Sequence, residues 1–276
     1  MAKIEIESEI NKIVMSVGHR ALTSIASTNL LVSRALFDLR NDQTHEKIAE
    51  TPSDPTILRE VFYDGFGHSF HGRAGVSMKC FDSVIRAIQV NEKILNIEPV
   101  LIHAFSERAI LSESMNELDN ALMDYDAAIR FWPTTYVGVG GFGNISKVYF
   151  LRGQLWLREN EYYKAVADFD TSIRIKPDRS YYIERLSWLL ATCSDDNIRD
   201  GKRAVELAGK ACALTDWENP LVIDILAAAY AENGQYDMAV VYETKVLEDE
   251  FMHDFGDLDD IRKRLELYKQ NKPYRE

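Results

Sequence analysis

One helical pattern is written four times along this chain with a period near 34 residues, and no other feature limits the fold so tightly. In the second half of each unit, Ala121, Tyr125, Ala128 and Pro133 recur at the same spacing as Ala165, Phe169, Ser172 and Pro177. In the first half, Phe105 and Ala109 correspond to Tyr149, Gly153 and Trp156, then to Ile183, Ser187 and Leu190, then to Ile223, Ala227 and Tyr230. Spacing of i, i+4 and i+7 puts a large, a small and another large residue on one face of a helix. The small residue lets a second helix approach closely while its large neighbours fill the space alongside. Each unit therefore reads as a pair of antiparallel helices, with Ala109, Ala121, Gly153, Ala165, Ala204, Ala227 and Ala239 at the close contacts.

On these residues the chain resembles the tetratricopeptide repeat proteins. Residues 146–179, SKVYFLRGQLWLRENEYYKAVADFDTSIRIKPDR, match that family's pattern best, and residues 102–135 follow, with Asn116 where a glycine usually ends the first helix. In residues 220–253, Gly234 and Tyr236 make the turn, but Glu243 and Val246 replace the usual aromatic and alanine. Residues 180–218 depart most: Ala204 falls 39 residues after Ala165, and the SDDNIRDG stretch is long enough to absorb the five extra. The wording of the second half also resembles repeat proteins of planctomycete-type bacteria. The resemblance implies an all-α fold, a right-handed α-solenoid of antiparallel helix pairs, acting as a non-enzymatic scaffold without cofactors.

The remaining chain is divided by weaker signals. Ala87 and Pro99 lie 34 residues before Ala121 and Pro133, which makes residues 68–101 a degenerate unit with Gly75 at its close contact. Residues 1–67 form an N-terminal helical segment, its apolar stripe carried by Ile10, Ile13, Val14, Val17 and Ala21. Ten residues are inserted at 136–145, and residues 254–276 are expected to cap the last unit through Ile261, Leu265 and Leu267 or Tyr268.

Charge restricts the partners. A net charge of −12 disfavours nucleic acid and anionic membrane surfaces, both of which require an excess of Lys and Arg. Three cysteines make no disulfide framework, and an N-terminus that is acidic rather than basic resembles no signal peptide, so a cytoplasmic setting is expected.

Three local patterns suggest chemistry and each has a plainer explanation. Gly138, Gly140 and Gly143 satisfy G-x-G-x-x-G, but no strand precedes them, so the segment reads as a loop between units. His68 and His71, with Asp64 nearby, could share a metal in an enzymatic N-terminal region, yet no third ligand pattern follows. Cys193 and Cys212 lie in apolar helical runs, where structural cysteines are usual.

What remains is a surface. The first helix of each pair lines the concave side of a helical solenoid. Phe150, Gln154, Arg158, Tyr181, Glu184, Trp188 and Asp224 are the candidate peptide groove, with Phe150, Tyr181 and Trp188 as an aromatic strip. Residues 1–60 or the loop at 137–144 could instead fold across it. Family members that clamp acidic peptides use Lys, Arg and Asn on neighbouring first helices. Here Lys147 and Arg158 stand beside Glu113, Glu184, Asp224 and Glu232, so the expected partner is a protein or peptide of basic or apolar character. Self-association through an exposed helix is the other non-enzymatic possibility.

Overall fold

The structure, a computed structural model, describes residues 55–70, 72–90, 98–132, 145–249, 252 and 258–276. Every regular element among the described residues is a helix. They fall into two compact units, Met1–Asn116 and Glu117–Glu276, so the division runs between the two helices of the repeat expected at 102–135.

In the first unit, α1 (Pro55–Phe70) packs on α2 (Ala74–Val90), and α2 packs on α3 (Glu98–Ser114). Val61, Phe62, Phe81, Val84, Ile102 and Phe105 are buried there. The pairing differs from the expected register. The chain turns between Phe70 and Ala74, inside the unit expected at 68–101, so α2 pairs with the preceding α1. Gly65, not Gly75, makes the close approach. A Cβ on Gly65 would lie 2.8 Å from the Cβ of Cys80, whereas one on Gly75 would meet nothing within 4 Å. The Ser77 hydroxyl donates to the Gly65 carbonyl at 2.7 Å and closes this contact. One alanine and one proline at the right interval were too little to set the register.

In the second unit the order is α4 (Leu118–Arg130), α5 (Ile145–Arg158), α6 (Tyr162–Ile175), α7 (Ser180–Thr192), α8 (Gly201–Leu214), α9 (Pro220–Glu232), α10 (Tyr236–Leu247) and α11 (Leu258–Lys269). Each helix packs on the next, and α7 also packs on α9, which is the stacking of an α-solenoid. Apolar faces supply the cohesion: Phe169, Tyr182, Ile183, Leu186 and Leu226 are fully enclosed. The repeat positions Ala121, Ala165, Ala204, Ala227 and Ala239 are buried, as is Ala109 in the first unit. At Gly153 a Cβ would lie 2.8 Å from the Phe169 ring, so α5 and α6 approach as closely as they do only because that atom is missing.

Local signals end the helices where the pattern needs turns. Asn160 and Gly234 adopt φ of 58° and 76°, the left-handed region that closes a helix C-terminus. The amides that follow return to the helix, Glu161 to the Trp156 carbonyl at 2.9 Å and Gln235 to that of Tyr230 at 2.8 Å. Asp200 and Asn219 cap α8 and α9 by accepting from the amides of Arg203 and Leu221. The extra residues after Cys193 form the α7–α8 link, pinned by Arg199, whose guanidinium donates to the Cys193 carbonyl at 2.6 Å and to Glu232 at 3.0 Å.

Residues 1–54 and 133–144 lie outside the described residues, and with them the N-terminal stripe and the glycines 138, 140 and 143. No helix among the described residues is long and apolar enough to cross a membrane.

Candidate functional site

The seven groove candidates sit on α5, α7 and α9, the first helices of successive pairs, and the structure gives them unequal roles. Phe150 is not part of an open strip. It is 7% exposed, with its ring centroid 5.5 Å from Phe169, 4.7 Å from Tyr182 and 5.1 Å from Tyr181. It belongs to the core because the next first helix begins beside it and presents two tyrosines in a row. Tyr181 is 43% exposed and is the outer edge of that cluster. Gln154 and Glu184 are half-buried and Arg158 is exposed. Burial raises the Glu184 carboxyl above its ordinary range, partly offset by a hydrogen bond from Ser180.

Trp188 is half-buried, and its cover comes from a direction the sequence reading did not consider. After α11, Asn271 takes φ of 56° and the amide of Lys272 returns to the Leu267 carbonyl at 2.9 Å, which reverses the chain. Residues 272–276 then run back to α7. Tyr274 lies 6.0 Å from the Trp188 ring, and the indole N–H donates to Glu276 Oε2 at 3.1 Å. The Glu276 amide donates to the Thr192 carbonyl at 2.9 Å, and Arg275 pairs with Glu232 Oε2 at 2.6 Å. A cavity of about 220 Å³ remains beside this crossing, lined by Leu157, Arg158, Tyr162, Arg185, Trp188 and Glu276 among others.

Asp224 serves a different purpose. Its carboxylate accepts from Arg264 of α11 at 2.8 Å, and Glu243 of α10 accepts from the same guanidinium at 3.2 Å. Glu243, in the place of the usual aromatic, thus receives the arginine of the capping helix. Two carboxyl groups, of which that of Glu243 is fully enclosed, share one cation. Burial, then the charge of Asp224, push the Glu243 carboxyl up to about 9, and burial also raises Asp224. Arg264 continues outward over the rings of Trp188 and Tyr274, at 5.6 and 5.7 Å from their centroids. It links the cap to the covered tryptophan.

The sequence reading passed over Arg264, Tyr274, Arg275 and Glu276. The available signal was an Asn at the end of the last helix, a Pro two residues later and a basic and aromatic ending in a chain whose first helices are acidic.

Among the described residues no three His, Cys, Asp or Glu side chains gather where they could hold a metal ion. Cys80, Cys193 and Cys212 are buried free thiols, and burial pushes Cys80 up to about 12 and Cys212 up to about 11, which opposes thiolate formation. His68 and Asp64 are buried on α1, and His71 lies outside the described residues.

No family model and no curated protein matches this chain. Solved structures do. A tetratricopeptide repeat protein from Parabacteroides merdae is 13% identical with a TM-score of 0.56, the match covering 78% of this chain and 77% of that one. YrrB, described as a tetratricopeptide repeat protein with an unusual peptide-binding site, is 10% identical with a TM-score of 0.54 over 82% of this chain and 96% of its own. MamA from Desulfovibrio magneticus is 14% identical with a TM-score of 0.55 over 72% of this chain and 97% of the solved fragment. The chain has the tetratricopeptide-repeat fold.

Proposed function

We propose that this tetratricopeptide-fold chain is a non-enzymatic scaffold that binds another protein through an extended peptide laid along the concave face of α5, α7 and α9. The observation that carries this reading is the crossing of residues 272–276 over Trp188, Thr192 and Glu232. That face already holds an extended segment by the means such grooves use: a ring against a tryptophan, a main-chain hydrogen bond and an ion pair. YrrB, of similar fold, is described as having a peptide-binding site, which supports the same use here.

Asp224 is already paired with Arg264, so Glu184 and Glu232 are the acidic groups by which this face favours a basic or apolar partner over an acidic one. A chain of net charge −12 has the same preference at long range. The setting we favour is cytoplasmic, in keeping with three free thiols.

Affinity capture from native lysate, with the unaltered chain and a Trp188→Ala variant side by side, tests this reading. Partners retained by the former and lost by the latter are the expected result. Identical partner sets would place binding elsewhere on the molecule.

A further inference from the structure

The segment that crosses the face is held by specific contacts, and Tyr274 also packs against the cluster of Ala227, Ala231, Ala239 and Tyr268. The segment has no secondary structure of its own, and Lys272, Arg275 and Glu276 are exposed. Tyr274 is half-buried, against Trp188 and Arg264, and Arg275 keeps 35% of its side chain exposed while pairing with Glu232, which is only 13% exposed. The built half of each contact therefore belongs to the helices. Glu232 is also held by Arg199, and Trp188 lies beside Arg264, so each has a partner outside the segment.

We propose that residues 272–276 are a built-in competitor whose chemistry reports the ligand: a partner segment presenting an aromatic, a basic and an acidic residue in succession, as Tyr274, Arg275 and Glu276 do. This rests on the reading of the first-helix face as the binding site and adds the ligand's class and its gate. The aromatic ring takes the place of Tyr274 against Trp188 and beneath the Arg264 guanidinium. The basic residue pairs with Glu232, and the acidic one accepts from the Trp188 indole N–H. Beside that last position lies the cavity of about 220 Å³, with Arg158 and Arg185 on its wall.

A partner must displace the segment before it can bind. When the competent form is only a fraction of the population, the apparent affinity falls by that fraction, so a segment seated about nine-tenths of the time weakens binding about tenfold.

The probe is a fluorescently labelled peptide of residues 270–276, with a peptide of the same composition in scrambled order as control. It is titrated against the full chain and against a full-length Tyr274→Ala/Arg275→Ala variant, whose fold is checked by circular dichroism. The opened variant is expected to bind the probe at least about tenfold more tightly than the unaltered chain. Adding Glu232→Gln to the opened variant should weaken the probe several-fold, and the scrambled peptide should not bind. Equal binding to both chains would overturn the proposal, as would an opened variant that prefers the scrambled peptide or ignores both. Sedimentation of the unaltered chain as a concentration-dependent dimer would also overturn it, since a second copy would then supply the segment. If the probe fails while captured partners still depend on Trp188, the competitor falls and the scaffold reading stands. If captured partners do not depend on Trp188, the scaffold reading itself falls.

Discussion

At the scale of single residues, the fold depends on atoms that are missing. Gly153 lies against the enclosed Phe169 ring, and leucine there must move either that ring or the backbone of α6. Gly153→Leu is expected to cost on the order of 1–3 kcal/mol, read as a lower urea midpoint with an unchanged slope. An unaltered midpoint would mean that the helices do not meet at this point. Glu243 is the opposite case, a carboxyl enclosed completely, whose titration burial and the neighbouring charge of Asp224 push upward. Its folded value of about 9 lies above the ordinary 4.5, so between those limits the folded chain holds more protons than the unfolded one. Stability should then fall as pH rises through that window. Glu243→Gln, which keeps the shape and removes the titration, should flatten the decline. Urea melts at pH 5.5 and 8.5 on both proteins check this, and parallel pH dependences would show that Glu243 is ionised in the fold.

At the scale of elements, the last helix explains the last repeat. Tyr268 of α11 sits among Ala227, Ala231 and Ala239, and Arg264 reaches Asp224 and Glu243, so α11 covers an apolar patch and gives both carboxyl groups a cationic partner. Removing one partner from a buried ionic group costs about 3–5 kcal/mol. Arg264→Ala should approach that loss, and deletion of residues 257–276 should in addition reduce solubility, as measured by thermal unfolding and sedimentation. A shortened chain that stays monomeric and equally stable would remove the capping role. The repeats were legible in the sequence because a small residue between two large ones has a single spatial meaning on a helix. The register around Gly65 was not, since one alanine and one proline fit either of two pairings. The covering of Trp188 was also illegible as a contact. It depends on the direction in which Asn271 turns the chain, which only the packed α11 determines. Glu243 looked like a lapse from the repeat pattern, because its partner Arg264 is 21 residues away on another helix.

At the scale of the whole molecule, charge and shape separate two parts of binding that can be measured apart. The chain carries 44 acidic against 32 basic residues, and Glu184 and Glu232 place part of that excess on the first-helix face. A basic partner is drawn by this field, and the attraction is screened over about 8 Å at physiological salt. The aromatic contact at Trp188 is short-range and insensitive to salt. The affinity of a captured partner should therefore fall as salt is raised. Trp188→Ala should weaken it further by about 2 kcal/mol at every ionic strength, which leaves the slope against salt unchanged. Titrations of both proteins at low, physiological and high salt read the two effects directly. Trp188 is half-buried against the core that contains Leu189 and Leu190, so the comparison must be made at a temperature where circular dichroism shows both chains folded. A Trp188→Ala chain that is folded and binds as tightly as the unaltered protein would remove the tryptophan from the interface. A binding constant indifferent to salt would remove the acidic face from it, leaving an apolar partner as the only one of the two classes that this surface could hold.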